Sequence, residues 1–299
     1  MSGVTGTQRS EALGGALLAR ARHPLRLAFA GGGTGGHLVP GMHLLAHLEL
    51  ERAHPERAPE QAREPAPLGD LLWFTSGRPV EQRVLRDLGQ RVAGAPVHLQ
   101  SLPLEPAGGG APSLSGLTLR LPPSVLRARA ALREHRSQVL LGLGGFTTAP
   151  AVIAAKSLGI PVALLEINAS PGRATRVLSH LARRVFHAWP ATAPRRRDGR
   201  HRLVGPPVSP AFQPAPDAPG RRRARAELGL APERSLLLVL GGSQGAGALN
   251  AFVRAHLGAF LGRGLCVVHQ VGPGRAHEAA DPICGEDGAL YRVVEYVRD

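Results

Sequence analysis

The stretch Leu25–Gly41, LRLAFAGGGTGGHLVPG, decides the fold of the first half of this 299-residue chain. A short apolar run from Leu25 to Ala30 stops at six residues of which five are glycine, and His37 follows at once. The residues after Pro40 place apolar side chains at helical spacing. The pattern therefore predicts a strand, a glycine turn and a helix that begins after Pro40. Free N–H groups at such a helix start favour an anionic group such as phosphate.

The glycine turn also fits a different class of site. Gly31, Gly33 and Gly36 satisfy the dinucleotide pattern G-x-G-x-x-G. A dinucleotide site needs an acidic residue about 20 positions on, at the end of the second strand, to hold the ribose hydroxyls. The next strand candidate, Leu71–Phe74, runs into Thr-Ser-Gly and then Arg78, and no acid stands there. Arg78 would suit a 2′-phosphate, so an NADP-dependent oxidoreductase stays open as an alternative, as does a purely structural turn.

Composition limits the class of protein. No apolar run reaches the length of about 18 residues that a spanning helix needs, and Met1–Pro24 lacks the features of a signal peptide. We therefore expect cytoplasmic residence. Cys266 and Cys284 are too few and too far apart for a disulfide framework or a zinc pair. The net charge of +14 comes without any nucleic-acid-binding motif, so we expect no nucleic-acid partner.

Strand and helix patterns alternate after the glycine turn. Apolar runs predict further strands at Leu71–Phe74, Val97–Leu99, Val139–Leu143, Val162–Leu165, Val185–Ala188 and Arg202–Val204. Helical patterns lie between most of them, at Val80–Leu88, Ser124–Arg136 and Ala149–Leu158. This alternation is typical of a parallel sheet with helices on both faces.

A second unit with the same opening pattern follows a proline-rich stretch. The helix Ala224–Leu228 precedes the apolar run Leu236–Leu240, which again stops at a glycine turn, Gly241–Ala246. The helix Leu249–Leu261 and strand candidates at Cys266–Gln270 and Tyr291–Tyr296 come next. We therefore divide the chain into an N-terminal extension (1–24), a first domain (25–204), a linker (205–223) and a second domain (224–299). The second domain has few strand candidates and is expected to be incomplete.

Three ordered motifs carry a family resemblance. GGGTGGHLVPG, LGLGGFTTAPAVIAAKSLGIPVALLEINASPGRATRVL and LLLVLGGSQGAGALN together resemble the MurG family of bacterial peptidoglycan N-acetylglucosaminyltransferases, in glycosyltransferase family 28. The resemblance implies an α/β GT-B fold of two Rossmann-like doubly wound domains with the active site in the cleft between them. It also implies inverting transfer of N-acetylglucosamine from UDP-GlcNAc to the C4 hydroxyl of lipid-linked muramoyl-pentapeptide (lipid I to lipid II).

Inverting transfer needs a base at the acceptor hydroxyl and positive potential at the leaving diphosphate. His37 is our first candidate for the base because imidazole titrates near neutrality, although it could merely orient the loop. Glu166, at the end of a predicted strand, is the second candidate, and it could instead orient its loop or pair with Arg173. No D-x-D motif is present, and the resemblance implies no metal, so we expect no catalytic divalent ion and no cofactor.

The resemblance assigns binding roles to further residues. It places Thr34, Gly35 and Gly36 at the donor or the acceptor diphosphate, Asn168 at a sugar, Gly144, Gly145 and Phe146 facing the acceptor, Ser243 and Gln244 at the UDP diphosphate or ribose, and Val297 near the uracil. Each glycine could equally be a simple turn residue.

The chain also departs from the family pattern. Ser209 stands where the family has a donor-contacting arginine, and the donor-recognition segment of the family would lie beyond Asp299. We therefore expect a chain truncated in its second domain. An alternative is a non-catalytic remnant that still binds the lipid-linked acceptor.

A lipid-linked acceptor implies work at the cytoplasmic face of the cell membrane. The segment Leu114–Arg136 carries leucines beside arginines, a composition that suits peripheral binding to an anionic membrane surface. The alternative is an ordinary amphipathic helix packed on the sheet.

Overall fold

The computed structural model describes most of the chain in two units, Met1–Pro210 and Ala211–Asp299. The described residues are 24–32, 35–54, 67–88, 91–102, 104, 114–194, 199–212, 217–231, 233–242, 245–276, 283–284 and 288–295.

The first unit alternates strands and helices along the chain. Its strands are β1 (Leu25–Gly31), β2 (Leu68–Thr75), β3 (Arg91–Val92), β4 (Ala95–Ser101), β5 (Val139–Gly144), β6 (Val162–Glu166), β7 (Arg184–His187) and β8 (His201–Leu203). Its helices are α1 (Gly35–Ala53), α2 (Pro79–Leu85), α3 (Leu114–Glu134), α4 (Thr148–Ser157) and α5 (Arg173–Leu178), with short 3-10 turns at Arg86–Leu88 and Pro190–Thr192. Each strand predicted from an apolar run in this unit is confirmed, with ends shifted by a few residues.

The strands form one sheet in the order β3-β4-β2-β1-β5-β6-β7-β8. All neighbouring pairs are parallel except β3 with β4. The chain moves outward from β1 in one direction through β2 and β4, then returns to the other side of β1 with β5. The doubly wound arrangement is therefore confirmed for this unit. Ligands of such sheets collect at the carboxyl ends of the two strands where the order reverses, here β1 and β5.

Two apolar layers cover the two faces of this sheet. Successive residues of a strand point to opposite faces, so Ala28 and Ala30 of β1 pack with α3 and α4, whereas Phe29 packs with the buried Leu38 and Leu45 of α1. Both layers are fully buried at their centres.

Two helices begin earlier than the sequence predicts. Helix α1 starts at Gly35 and runs through Pro40, and α3 starts at Leu114 and runs through Pro122 and Pro123. Proline removes one N–H from the ladder but holds φ near the helical value. The burial of Leu38 and other α1 side chains offsets the lost hydrogen bond, because most helix stability in proteins comes from packing. The expected start after Pro40 is therefore wrong.

The second unit repeats the same opening in a smaller sheet. It contains α6 (Ala218–Glu227), β9 (Leu236–Leu240), α7 (Gly247–Leu261), β10 (Cys266–Gln270), β11 (Ile283–Cys284) and β12 (Leu290–Val294), with the strand order β11-β12-β10-β9. Its core is centred on Val253, Val267 and Tyr291. The second occurrence of the strand, glycine turn and helix pattern, predicted around Gly241–Ala246, is confirmed. Helix α6 begins six residues before the expected Ala224.

Candidate active site

The carboxyl ends of β1, β5 and β6 bring the main candidates of the first unit to one edge of the sheet. His37 is the third residue of α1, directly after the glycine turn that ends β1. Gly144 ends β5, and Glu166 ends β6. The turn places His37 at the point where the strand order reverses, between β1 and β5. This is the position at which parallel sheets of this topology bind ligands.

Glycine is required where β5 meets the His37 ring. A Cβ atom added to Gly144 would lie 2.8 Å from His37 Cδ2 and 3.2 Å from its Nε2, and one added to Gly145 would lie 2.6 Å from the carbonyl oxygen of Gly32. Both glycines also have positive φ, 102° and 80°, which side chains other than glycine rarely adopt. Glycine at these two positions therefore allows the turn after β5 to pack directly against the imidazole and against the first glycine turn.

The surroundings of His37 favour a neutral imidazole. Burial lowers the pKa of His37 below its ordinary value of 6.5, although a hydrogen bond to the Gly32 backbone and the charge of Glu166 act in the opposite direction. A ring N–H that donates to the Gly32 carbonyl fixes the tautomer and leaves the other ring nitrogen with its lone pair. A neutral imidazole of fixed tautomer can accept a proton near neutral pH.

The carboxylate of Glu166 is fully engaged by its own loop. It accepts hydrogen bonds from the backbone N–H of Asn168 (2.9 Å), the side-chain amide of Asn168 (2.9 Å) and the backbone N–H of Gly172 (2.8 Å). Its side chain is buried, with 2% exposed. Burial alone would raise the pKa of Glu166, yet these bonds and one from the Thr175 hydroxyl outweigh it and lower the pKa. The geometry therefore favours the interpretation that Glu166 orients its loop over a role as base.

A second buried carboxylate, Glu81, holds the loop after β2 beside the first glycine turn and was missed by the sequence reasoning. It accepts hydrogen bonds from Ser76 N–H (3.1 Å), Ser76 Oγ (2.7 Å), Gly77 N–H (2.7 Å) and Arg78 N–H (3.1 Å). Gly32 lies so close to this carboxylate that an added Cβ would collide with it. Pro79 at the start of α2 and the glutamate in its first turn are helix-start signals that could have identified it.

The segment that carries Ser209 is held against α1 by two histidines that the sequence reasoning also passed over. His43 Nδ1 lies 3.1 Å from the Pro207 carbonyl oxygen, and His47 Nε2 lies 2.9 Å from that of Val208. Their spacing of four residues puts both on one face of α1. Ser209 is 9% exposed, so the position where the family pattern has arginine is buried.

The glycine turn of the second unit is supported by a different set of groups. The side-chain amide of Gln270, at the end of β10, donates to the Gly242 carbonyl at 2.9 Å. Asn250 of α7 donates to the Val271 carbonyl at 2.9 Å and contacts His269 Nε2 at 3.0 Å. Gly245 has a φ of 70° and packs on the Val271 carbonyl too closely for any Cβ.

The structure describes some of the remaining candidate residues, and the others lie outside the described part of the chain. Gly35 and Gly36 open α1, Asn168 is exposed beside Glu166, and Phe146 is half-exposed after β5. Thr34, Ser243, Gln244 and Val297 lie outside the described residues. Neither α1 nor α7 carries an acidic residue in its first turn, so no side chain of these first turns repels a bound anion.

The sequence matches two protein-family models. Residues 86–187 match the glycosyltransferase family 28 N-terminal domain, and residues 236–299 match the glycosyltransferase family 28 C-terminal domain.

Curated relatives cover nearly the whole chain. The UDP-N-acetylglucosamine--N-acetylmuramyl-(pentapeptide) pyrophosphoryl-undecaprenol N-acetylglucosamine transferase of Nocardioides sp. is 36% identical over 277 residues, which are 91% of this chain and 68% of that protein. The protein of the same description from Paenarthrobacter aurescens is 34% identical and covers 93% of this chain and 68% of its own length. The chain thus spans about two thirds of the length of these relatives.

Solved structures share the fold. The crystal structure of Acinetobacter baumannii MurG has a TM-score of 0.57 at 20% identity and covers 92% of this chain and 68% of that chain. A UDP-GlcNAc 2-epimerase from Neisseria meningitidis, bound to UDP-GlcNAc, has a TM-score of 0.51 at 12% identity and covers 92% of this chain and 73% of that chain.

Proposed function

This chain belongs to glycosyltransferase family 28, and from that membership we infer that it transfers N-acetylglucosamine from UDP-GlcNAc to the C4 hydroxyl of a lipid-linked N-acetylmuramyl-pentapeptide. The similarity to transferases of this description over about nine tenths of the chain carries the inference. The GT-B class expected from the sequence is confirmed. Membership also removes the NADP-dependent oxidoreductase alternative that the glycine pattern left open.

His37 acts as the general base in this proposal. Its ring nitrogen that does not donate to Gly32 takes the proton of the acceptor hydroxyl as the oxygen forms its bond to the anomeric carbon of the sugar. The bond from that carbon to the β-phosphate oxygen breaks at the same time, and the electron pair leaves with UDP. The support for this role is the position of His37 at the reversal of strand order, together with the burial that keeps the imidazole neutral.

The proposed binding roles follow from the chemistry of the backbone and side-chain groups. The backbone N–H groups at Gly35 and Gly36 suit a diphosphate because they open a helix. Asn168 donates its amide to Glu166 and keeps its carbonyl oxygen for a sugar hydroxyl, so Glu166 is a positioning residue. In the second unit, Ser243 and Gln244 of the glycine turn take the UDP diphosphate or ribose. Val297 is assigned to the uracil, and Ser209 to the donor in place of arginine.

The decisive experiment measures transfer of labelled N-acetylglucosamine from UDP-GlcNAc to a lipid-linked muramoyl-pentapeptide. Loss of a general base reduces the rate by about 10²–10⁴-fold, so we expect that loss in His37→Gln. His256→Ala, which changes an exposed histidine of α7, serves as the matched control and should retain full activity. Equal rates for His37→Gln and the unaltered protein would contradict the role of His37. Binding of the lipid without any transfer would instead favour the non-catalytic remnant.

Membrane attachment is proposed at α3. Leu119 and Leu126 are 79% and 66% exposed, and they recur every seven residues together with the exposed Arg133, which places all three on one face of the helix. Arg120 and Arg127 form the adjacent row and are also exposed. The opposite face of α3 packs in the core. Among the described residues, no helix is long and apolar enough to cross a membrane.

Exposed leucines beside arginines are suited to the surface of an anionic bilayer. The proposal is therefore peripheral attachment at the cytoplasmic face, where the lipid-linked acceptor would be reached. We expect the protein to float with vesicles that contain anionic phospholipid at low salt. The double variant Leu119→Asp/Leu126→Asp should remain in the soluble fraction. Leu203→Asp changes another exposed apolar residue, on β8 and 56% exposed, and should still float. Equal flotation of all three proteins would contradict the proposal.

A further inference from the structure

Three side chains that can bind a metal ion meet on the first unit's sheet, away from the proposed active site. They are Asp70 of β2, His98 of β4 and His135, which follows the end of α3. All three are partly buried. None of them has a role in the proposed transfer reaction.

The topology explains why these residues meet. Asp70 and Leu72 lie two residues apart in β2 and so point to the same face, and Leu72 is the register partner of His98 on β4. Helix α3 covers this face, with Leu132 in the same buried cluster as Leu72. The backbone continues from α3 directly to His135. Three separate elements therefore deliver one ligand each to one point.

The distances are those of a site that can close around an ion. One carboxylate oxygen and one nitrogen from each imidazole lie within 4.8 Å of one another. The two imidazole rings are 4.3 Å apart between centroids and inclined by 40°. Nitrogen and oxygen ligands at about 2.0–2.2 Å from a tetrahedral ion are roughly 3.3 Å from each other. Metal binding therefore requires the ligand atoms, now within 4.8 Å of one another, to approach each other by at most about 1.5 Å.

We propose that Asp70, His98 and His135 form a binding site for a divalent first-row transition metal ion, with Zn²⁺ the best match. Two imidazoles and one carboxylate are a ligand set suited to Zn²⁺, whereas Ca²⁺ and Mg²⁺ prefer all-oxygen sites. A water molecule completes the coordination. Glu134 adds negative charge nearby, whereas Arg26 on β1 adds positive charge next to His135 and weakens binding.

The site has a structural role in this proposal. Asp70 lies five residues before Thr75, the end of β2, which is about 17 Å along the strand from the carboxyl edge. The metal is therefore remote from His37 and Glu166, and it takes no part in the transfer. It ties the end of α3 to β2 and β4, and the folded chain gains stability because the unfolded chain does not hold the three ligands together.

The test uses the full chain without a polyhistidine tag, after dialysis against EDTA and removal of the chelator. Zn²⁺ is titrated while the melting temperature Tm is followed. A free Zn²⁺ concentration of about 100 times Kd is expected to raise Tm by about 5–10 °C. Co²⁺ in place of Zn²⁺ should give the intense visible absorption of a four-coordinate ion. An unchanged Tm, or a Co²⁺ spectrum identical to that of free aqueous Co²⁺, would overturn the proposal.

Variants separate this site from binding by other histidines. His98→Gln and His135→Gln should each weaken Zn²⁺ binding by about tenfold or more, and His256→Ala should bind as the unaltered protein does. Asp70→Asn keeps the size of the side chain and removes its charge, so it tests the site even where a histidine variant is less stable in EDTA. Equal Zn²⁺ affinity and equal Co²⁺ absorption in all of these variants would refute the assignment of the ligands. Transfer activity is not used as a readout, so failure of the metal site leaves the proposed function untouched.

Discussion

The substitution Glu166→Gln tests whether a buried carboxylate holds the loop that carries Asn168. Glutamine has the same shape, but it replaces one acceptor oxygen by a donor NH₂ group. Glu166 Oε1 accepts both bonds from Asn168, and Oε2 accepts the bond from Gly172. Whichever oxygen is replaced, at least one backbone or side-chain donor then faces another donor inside the protein.

The expected cost follows from the bonds that are lost. A hydrogen bond to a charged group contributes about 1.5–3 kcal/mol. The substitution removes the charge from all of the bonds and the acceptor from at least one, so we expect a loss of about 3 kcal/mol. For a unit of this size, that corresponds to a decrease in Tm of about 6–12 °C. Glu51→Gln, which changes an exposed glutamate of α1, is the matched control and should leave Tm unchanged.

The pH dependence of stability gives an independent readout. The hydrogen bonds lower the pKa of Glu166 in the folded chain against the effect of its burial. A carboxylate with a lowered folded pKa stabilises the protein above the unfolded pKa, and this stabilisation is lost as the pH falls through the folded pKa. The unaltered protein should therefore lose stability from about pH 5 downward, and Glu166→Gln should lose less over the same range.

Thermal unfolding measures the change in Tm, chemical denaturation at several pH values measures the pH dependence of the free energy of unfolding, and transfer kinetics follow the position of the loop. Misplacement of a substrate-positioning loop by about 1 Å can cost about a hundredfold in rate, so kcat/KM should decrease in Glu166→Gln. A Tm equal to that of Glu51→Gln would refute the reasoning, because it would mean that the carboxylate does not hold the loop. A lower Tm with an unchanged pH dependence would refute the direction of the pKa shift.

Three further predictions concern the two glycine turns. Because burial lowers the pKa of His37, the acid limb of the kcat/KM profile should have its midpoint below pH 6.5, and this limb should be absent from any residual activity of His37→Gln. Gly145→Ala should abolish transfer and destabilise the first unit by more than about 1–2 kcal/mol, because its Cβ would lie 2.6 Å from the Gly32 carbonyl; circular dichroism melting and the transfer assay check this. Gln270→Ala removes the donor to the Gly242 carbonyl and should raise KM for UDP-GlcNAc more than it lowers kcat, which steady-state kinetics at varied donor concentration would detect.

Strands were the best-predicted elements. Cys266–Gln270 is a strand with the bounds that the sequence predicts. Its first three residues are apolar, as is typical of a buried parallel strand, and the buried His269 and Gln270 have hydrogen-bond partners. Helix starts were predicted less well. Helix α6 begins after Asp217, whose carboxylate accepts from the Gly220 N–H at 2.8 Å. An aspartate followed two residues later by a proline is a helix-start signal, but the surrounding proline-rich composition indicated a linker.

The candidate site was predictable only where its contacts are local. Glu166 and its partners lie within ten residues of one another, so their loop could be identified from the sequence. The contact between His37 and Gly144 depends on the pairing of β1 with β5, and no local pattern reports which strands pair. The same holds for His43 and the segment at Pro207, which meet only because the chain returns to α1.

The supports behind the two glycine turns follow one physical rule. A turn that binds an anion through its N–H groups must leave those groups unpaired on the side that faces the ligand. Its carbonyl groups and its backbone conformation therefore have to be fixed by contacts on the side that faces the protein. In the first unit the fixing groups come from the end of β5, beside β1, where Gly145 packs on Gly32. In the second unit they come from the end of β10, beside β9, where Gln270 bonds Gly242. In both units the support lies at the carboxyl end of the strand next to the one that enters the turn. That position is set by the parallel order of the sheet, so the residues to substitute in testing either turn are those that end the neighbouring strand, as well as those in the glycine motif itself.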